Sequence, residues 1–298
     1  MQYENVKKNK FQTGLTIFLF MVAIYYIIYF ILKMTNIGKT GIIVAAIASF
    51  AMTFFTYWNS DKIILKTVKA RKPTGMEEHY IDELLSNLCI AAGLPVRPEL
   101  YIMESEQVNA FATGRNLEHS IICLTTGIIK RLDRAELEAV IGHELTHIIN
   151  RDMSVSTIVS VMAGFITILA DMILRFNGFN NNDSESSDRG SIIIVIIGVL
   201  ALILAPIFTS LVQLFISRKR EYMADAGSVG LTRNPEAMIS ALIRIHEDPT
   251  RMDIPTKSVQ GLFISNPDPQ LKKIKGESSI FSSHPTLEER VEAIRKLQ

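Results

Sequence analysis

Two histidines and a glutamate stand at a spacing that suits metal-dependent hydrolysis. The stretch His143-Glu144-Leu145-Thr146-His147 has the pattern His-Glu-x-x-His. At 3.6 residues per helical turn, the two histidines lie one above the other on one helix face, spaced to share one metal ion. Glu144 can reach a water on that ion, the position of the general base in metalloproteases. The alternative is a helix with two exposed or packed histidines.

A candidate third ligand lies much later in the chain, directly after a basic cluster at 218–220. Glu221 supplies a carboxylate there. A catalytic zinc takes three protein ligands and keeps a position open for water, and His-His-Glu is a recurring set. Asp225, one turn beyond, is expected to accept a hydrogen bond from a ligand histidine and so to fix its tautomer. The alternative for Glu221 is an ordinary charged helix start beside a membrane.

The composition of the chain is that of a membrane protein. Hydrophobic residues make up 48% of it and are concentrated in blocks. Four apolar runs predict transmembrane helices, over 14–32, 41–58, 153–174 and 192–216. The first is expected to be a retained anchor because no small-residue cleavage pattern follows it. A formal charge of +1 gives no indication of nucleic-acid binding.

Basic residues are distributed unevenly around these runs. They cluster at 62–72, after the second run, and at 218–220, after the fourth, whereas the first turn carries only Lys33 and Lys39. The positive-inside rule then predicts that both termini and the His-Glu-x-x-His motif are cytoplasmic. Two spans between the motif and Glu221 return that glutamate to the same side.

From about residue 74 the patterns are those of a soluble domain. Helical spacing predicts a helix over 77–92, and three short β-prone runs predict a small antiparallel sheet over 100–103, 108–113 and 120–125. N-caps are expected at Asp133, Asn234 and Thr286. Cys89 and Cys123 are expected to be buried thiols, neither ligands nor a disulfide.

The order of these features resembles the HtpX-like family of membrane-embedded zinc endopeptidases, relatives of the CAAX prenyl proteases. The matching pieces are His143-Glu144-Leu145-Thr146-His147-x-x-Asn150-x-Asp152, Ser217-Arg218-x-Arg220-Glu221-x-x-Ala224-Asp225, Asn109-Ala110-Phe111-Ala112, and Ser283-His284-Pro285 with Arg290. The resemblance covers essentially the whole chain, including the N-terminal pair of spans.

The resemblance implies one zinc ion per chain. It implies His143, His147 and Glu221 as its ligands, Glu144 as general base, and a role for His284 in binding substrate or stabilising the oxyanion.

Two further groups of residues are predicted to bind substrate and to support the metal ligands. Asn109, Ala110 and Phe111 are expected to hold the substrate backbone, with the substrate adding a strand along the predicted edge strand. Asp225 and Asp152 are expected to support the ligand histidines.

The expected protein is therefore an α-helical membrane protein with a cytoplasmic, mainly α zinc-metalloprotease domain that contains a small antiparallel β-sheet. Residues 1–73 form the anchor, and residues 74–298 form the peptidase domain, interrupted by a membrane hairpin (153–174 and 192–216). Its expected activity is hydrolysis of peptide bonds in misfolded or damaged membrane proteins at the cytoplasmic face of the plasma (inner) membrane. Its partners are protein substrates and the lipid bilayer, and the setting is protein quality control under stress.

Three alternatives remain open from the sequence. An intramembrane protease is disfavoured by the charged residues at 131–138, which place the motif in water or at the interface. A scaffold or chaperone with a structural metal needs four protein ligands. A CAAX-type prenyl protease needs a large membrane chamber, for which four spans are few.

Overall fold

The computed structural model describes residues 2–34, 40–179, 218–252, 257–268 and 285–297, which are mostly helical around one small sheet. The helices are α1 (Gln2–Met34), α2 (Thr40–Trp58), α3 (Ser60–Thr67), α4 (Gly75–Ala91), α5 (Thr126–Arg131), α6 (Arg134–Asn150), α7 (Asp152–Phe179), α8 (Arg218–Thr232), α9 (Pro235–Glu247) and α10 (Leu287–Arg295). The strands are β1 (Glu99–Met103), β2 (Ala110–Gly114) and β3 (Ser120–Thr125). The predicted span at 192–216 and His284 lie outside the described residues.

The first two helices agree with the predicted anchor. Over Val6–Tyr29 and Thr40–Trp58 they are long and apolar enough to cross a membrane, by length and composition. Large apolar side chains such as Phe18, Phe50 and Phe55 are exposed on them. Apolar surface of this extent favours a lipid environment.

The helix predicted as the third span begins inside the protein. The described part of α7 packs against α1, β2 and a short 3₁₀ helix over Lys257–Leu262. Val155, Val159 and Met162 are fully buried in a cluster with α1. The apolar stretch Asp152–Phe165, over which side chains are described, is shorter than a membrane crossing requires. A full crossing over 153–174 therefore stays a prediction.

The three-stranded sheet is mixed, with strand order β1-β3-β2. Phe111 of β2 lies opposite Cys123 of β3 in an antiparallel pair, as predicted. Tyr101 of β1 also lies opposite Cys123, but in a parallel pair, so the prediction of a wholly antiparallel sheet is wrong. Strands β1 and β2 therefore lie at the two edges of the sheet, joined by the segment 104–109, and β3 lies between them.

The predicted N-caps define the helices around the motif. Asp133 and Glu136 form a capping box at the start of α6, and Asn234 and Thr286 cap α9 and α10 as expected. Helix α6 ends because Arg151 adopts the left-handed region at φ 59°. Helix α7 therefore starts immediately, in a new direction.

Small residues allow α6 and α8 to approach each other closely. A Cβ atom on Gly227 would lie 2.4 Å from the Thr146 side chain, and one on Gly142 would lie 3.2 Å from Ser228 Oγ. The Ser228 hydroxyl donates to the Ala139 carbonyl at 2.5 Å. This close contact places the residues of α8 beside the histidines of α6.

Gly227→Ala is expected to destabilise the fold by about 1–3 kcal/mol, because the new methyl group overpacks the α6–α8 contact. The free energy of unfolding in detergent measures this effect, and adding Thr146→Ala should restore part of it. Gly230→Ala is the matched control on the same helix, since no atom lies within 4 Å of its added Cβ. Equal stability of the two single variants would contradict the prediction.

Candidate metal centre

Three donor groups from α6 and α8 converge on one point. The ligand atoms of His143, His147 and Glu221 all lie within 4.8 Å of one another. The two Nε2 atoms are 3.2 Å apart. The Glu221 carboxylate oxygens lie 3.5 Å from His147 Nε2 and 3.9 Å from His143 Nε2. The structure thus brings the motif together with the glutamate that the sequence suggested as third ligand.

The other ring nitrogen of each histidine faces a carboxylate. His143 Nδ1 lies 3.0 Å from Asp225 Oδ1, and His147 Nδ1 lies 3.3 Å from Asp152 Oδ2. An ionised carboxylate only accepts hydrogen bonds, so each Nδ1 carries a proton, and in a neutral ring Nε2 is left with a lone pair. When both rings are neutral, two lone pairs face each other beside a third carboxylate, and this set of donors suits a bound cation. The residues present therefore fit a metal ion.

Asp225 is held in turn by an arginine from the C-terminal helix. Arg290 donates from Nε to Asp225 Oδ2 at 2.8 Å and from Nη2 to Asp225 Oδ1 at 2.6 Å, and both side chains are buried. Arg290 Nη1 lies 3.6 Å from Glu221 Oε2. In the sequence, Arg290 has no indicated role beyond its match to the family. Its spacing could have indicated burial, because Arg290 lies one turn before Ile294 on the buried face of α10.

Asp152 has polar partners that the sequence did not indicate. Arg220 Nε lies 3.4 Å from Asp152 Oδ1, and Asn9 Nδ2 donates to the same oxygen at 2.6 Å. Asn9 comes from the polar stretch that precedes the first apolar run. No periodicity or motif in the sequence connects that stretch with the histidines.

Burial and charge move the pKa values of the central groups apart. Burial lowers the pKa of His143 to about 4. Burial also opposes the charge on His147, but the hydrogen bond to Asp152 and the charge of Glu221 outweigh it and raise that pKa to about 9. Burial raises the pKa of Glu144 to about 7. A general base is most effective when its pKa lies near the working pH.

Strand β2 lies directly beside Glu144. The Ala112 backbone N–H donates to the Glu144 carboxylate. Part of the strand's edge is covered, because Ile264 N donates to Ala110 O at 2.9 Å and the Phe263 ring packs against Phe111.

Asn109 is fully buried, and its amide binds that covering segment. Its Nδ2 donates to the Ser265 carbonyl at 2.9 Å, and its Oδ1 accepts from Ser265 N at 3.4 Å and from Ala110 N at 3.1 Å. A substrate strand paired with Asn109, Ala110 and Phe111 therefore requires the segment over Phe263–Ser265 to move.

Comparison with known proteins agrees with this geometry. Residues 76–298 match Peptidase family M48. The chain belongs to this family. Two relatives named Protease HtpX homolog are similar to it over nearly their whole length. That of Thermoanaerobacter pseudethanolicus is 38% identical over 301 residues, covering 100% of this chain and 97% of the relative. That of Dictyoglomus thermophilum is 37% identical over 295 residues, covering 99% and 94%.

A solved structure, that of S. mikatae Ste24p, shares the fold with a TM-score of 0.52 at 19% identity. The match covers 97% of this chain but only 66% of the Ste24p chain. As a member of family M48 with HtpX relatives over its full length, the protein is a membrane metalloprotease, and the resemblance found in the sequence is confirmed.

The apparent affinity of this site for a divalent metal ion, measured with zinc as the probe, is expected to rise with pH. His147 keeps a proton up to about pH 9 in the metal-free protein, and a metal must expel that proton to bind. Loss of one proton corresponds to about a tenfold gain in affinity per pH unit below that value. Competition with a chelator measures the affinity. Asp152→Asn should shift the plateau to lower pH, and a flat profile from neutrality to pH 9 would contradict the expectation.

Proposed function

We propose that this membrane metalloprotease is a zinc-dependent endopeptidase that cleaves misfolded or damaged membrane proteins at the cytoplasmic face of the plasma membrane. The observation that carries the proposal is the convergence of His143, His147 and Glu221, with Glu144 on the same helix turn. The described residues supply three donors to this group, which is the number that a catalytic zinc takes.

In this proposal His143, His147 and Glu221 hold the zinc, one ion per chain. A zinc ion bound there supplies Lewis-acid activation of a water and of the scissile carbonyl. Glu144 takes a proton from the attacking water and then passes it to the leaving amine. Its raised pKa suits both transfers, because the same carboxyl group must accept and release a proton near neutral pH.

Asp225 and Asp152 keep the two histidines in the tautomer that directs each Nε2 at the ion. Arg290 neutralises Asp225, so the buried carboxylate does not draw the proton fully from its histidine. The resemblance further supports His284 as a donor to substrate or oxyanion. It also supports Asn109, Ala110 and Phe111 as residues that hold the substrate backbone once the segment over Phe263–Ser265 has moved aside.

The position of the helices supports membrane proteins as substrates. Helix α7 begins at Asp152, directly after the motif helix, and packs against α1, one of two helices among the described residues that are apolar enough to cross a membrane. A metal centre so close to membrane helices is within reach of substrate proteins that lie in the bilayer or emerge from it. In this proposal residues 1–73 form the membrane anchor, and residues 74–298 form the peptidase domain, interrupted by the membrane hairpin over 153–174 and 192–216. The basic clusters at 62–72 and 218–220 support a cytoplasmic site.

The alternatives receive less support. Four closed ligands define a structural site, whereas the described residues provide three. The likeness to Ste24p is one of fold, and about a third of that chain has no counterpart here. Selectivity for prenylated substrates is therefore not part of the proposal.

Glu144→Gln is expected to lower kcat/KM for an unfolded protein substrate by about 10²–10⁴-fold, the usual contribution of a general base. The assay uses the purified protein in detergent with zinc, and zinc content should match the wild type. Glu138→Gln, on the same helix but outside the site, is the control and should retain full activity. Equal cleavage by wild type and Glu144→Gln would end the proposal.

Membrane orientation is open to a cysteine-labelling test. The native Cys89 and Cys123 are buried free thiols, as predicted, and burial raises the pKa of both, so background labelling should be low. A membrane-impermeant reagent applied to intact cells should label a cysteine introduced at Asn180. A cysteine at Met76, which is 90% exposed, should react only after permeabilisation. Labelling of both only after permeabilisation would contradict a hairpin that crosses the bilayer.

A further inference from the structure

The first helix extends beyond the apolar run that anchors it. Helix α1 begins at Gln2, whereas the apolar run begins at Gly14. Its first turns carry exposed basic residues, Lys7, Lys8 and Lys10. Asn9 stands among them and is only 3% exposed. A buried polar side chain in an otherwise exposed basic segment needs partners, and these lie at the metal centre.

Both ends of the Asn9 amide are engaged there. Its Nδ2 donates to the Asn150 carbonyl at 2.9 Å and to Asp152 Oδ1 at 2.6 Å. Its Oδ1 accepts a hydrogen bond from Arg220 Nη2 at 2.9 Å. Gln12, one turn further along α1, accepts from the same Nη2 at 2.6 Å. The membrane helix thus reaches both the end of the motif helix and the start of the helix that carries Glu221.

The contact falls where the backbone changes direction. The last carbonyls of a helix have no intrahelical partner, and Asn150 is the last residue of α6, followed by Arg151 in the left-handed region. Asn9 Nδ2 donates a hydrogen bond both to the Asn150 carbonyl and to the Asp152 carboxylate. It therefore fixes where Asp152 stands relative to α6.

We propose that Asn9 is a positioning residue for the metal centre, so that α1 forms part of the catalytic apparatus as well as the anchor. The inference rests on the proposed function, in which His147 binds zinc. Asp152 Oδ2 faces His147 Nδ1 at 3.3 Å while Asp152 Oδ1 faces Asn9. Asn9 therefore holds one carboxylate oxygen so that the other orients the imidazole.

The chemistry requires an amide at this position. The side chain must donate to a carboxylate and accept from a guanidinium at the same time, and an amide has one group for each task. Aspartate has nearly the same size but offers only acceptors, which would repel Asp152. Alanine would leave Asp152 and Arg220 each short of a partner.

The test measures zinc binding as well as activity. Asn9→Asp and Asn9→Ala are expected to weaken zinc binding by up to about 10-fold, less than the 10-fold to 100-fold loss that usually follows removal of a ligand's own supporting group. The visible spectrum of the cobalt-substituted protein should change with them, because the His147 ring is no longer held in place. Lys10→Ala, the exposed neighbour, is the matched control and should leave affinity, spectrum and activity unchanged.

A mutant cycle separates positioning from general destabilisation. If Asn9 acts through Asp152, Asn9→Asp should cost nothing further in a protein that already carries Asp152→Ala. Equal losses in both backgrounds, or wild-type zinc affinity and cobalt spectrum in Asn9→Asp, would overturn the inference. Should Asn9→Ala fail to fold, the isosteric Asn9→Asp carries the test. A wild-type protein that takes up no zinc would instead overturn the proposed function.

Discussion

The centre depends on two imidazole Nε2 atoms that face each other 3.2 Å apart beside a glutamate carboxylate. Each ring is held in this orientation from behind by a carboxylate. Asp225 holds His143 and Asp152 holds His147. The three donor groups are thereby arranged in advance for a bound metal ion, which is what a metal-dependent enzyme requires.

Each supporting carboxylate is neutralised by an arginine from a different part of the chain. Arg290 of α10 pairs with Asp225, and Arg220 of α8 lies beside Asp152. A buried ion pair of this kind contributes little net stability, but removal of one partner leaves an uncompensated charge and costs about 3–5 kcal/mol. Arg290 therefore ties α10 to the centre, and Arg220, which also donates to Asn9 and Gln12, ties α1 to it.

The membrane part and the peptidase part are not independent units in this arrangement. The first half of α7 is enclosed by α1, the sheet and the 3₁₀ helix over Lys257–Leu262, so this part of an apolar helix serves as protein core. The same packing sets β2 above Glu144, through the hydrogen bond from Gly114 N to Thr157 Oγ1 at 3.0 Å. Strand β2 is consequently flanked by α7 on one side and by the segment over Phe263–Ser265 on the other.

The sequence alone predicted the motif helix with its cap at Asp133, the two apolar N-terminal helices and an antiparallel pair of short strands. Each of these features depends on residues close together in the chain. The spacing of His143 and His147, and the charge pattern that suggested Glu221, are of the same kind. Tertiary structure alone decided the parallel pairing of β1, the burial of Asn109 against Ser265, and the recruitment of Arg290 and Asn9. These contacts join residues far apart in sequence, and a buried polar side chain carries no local pattern that names its partner.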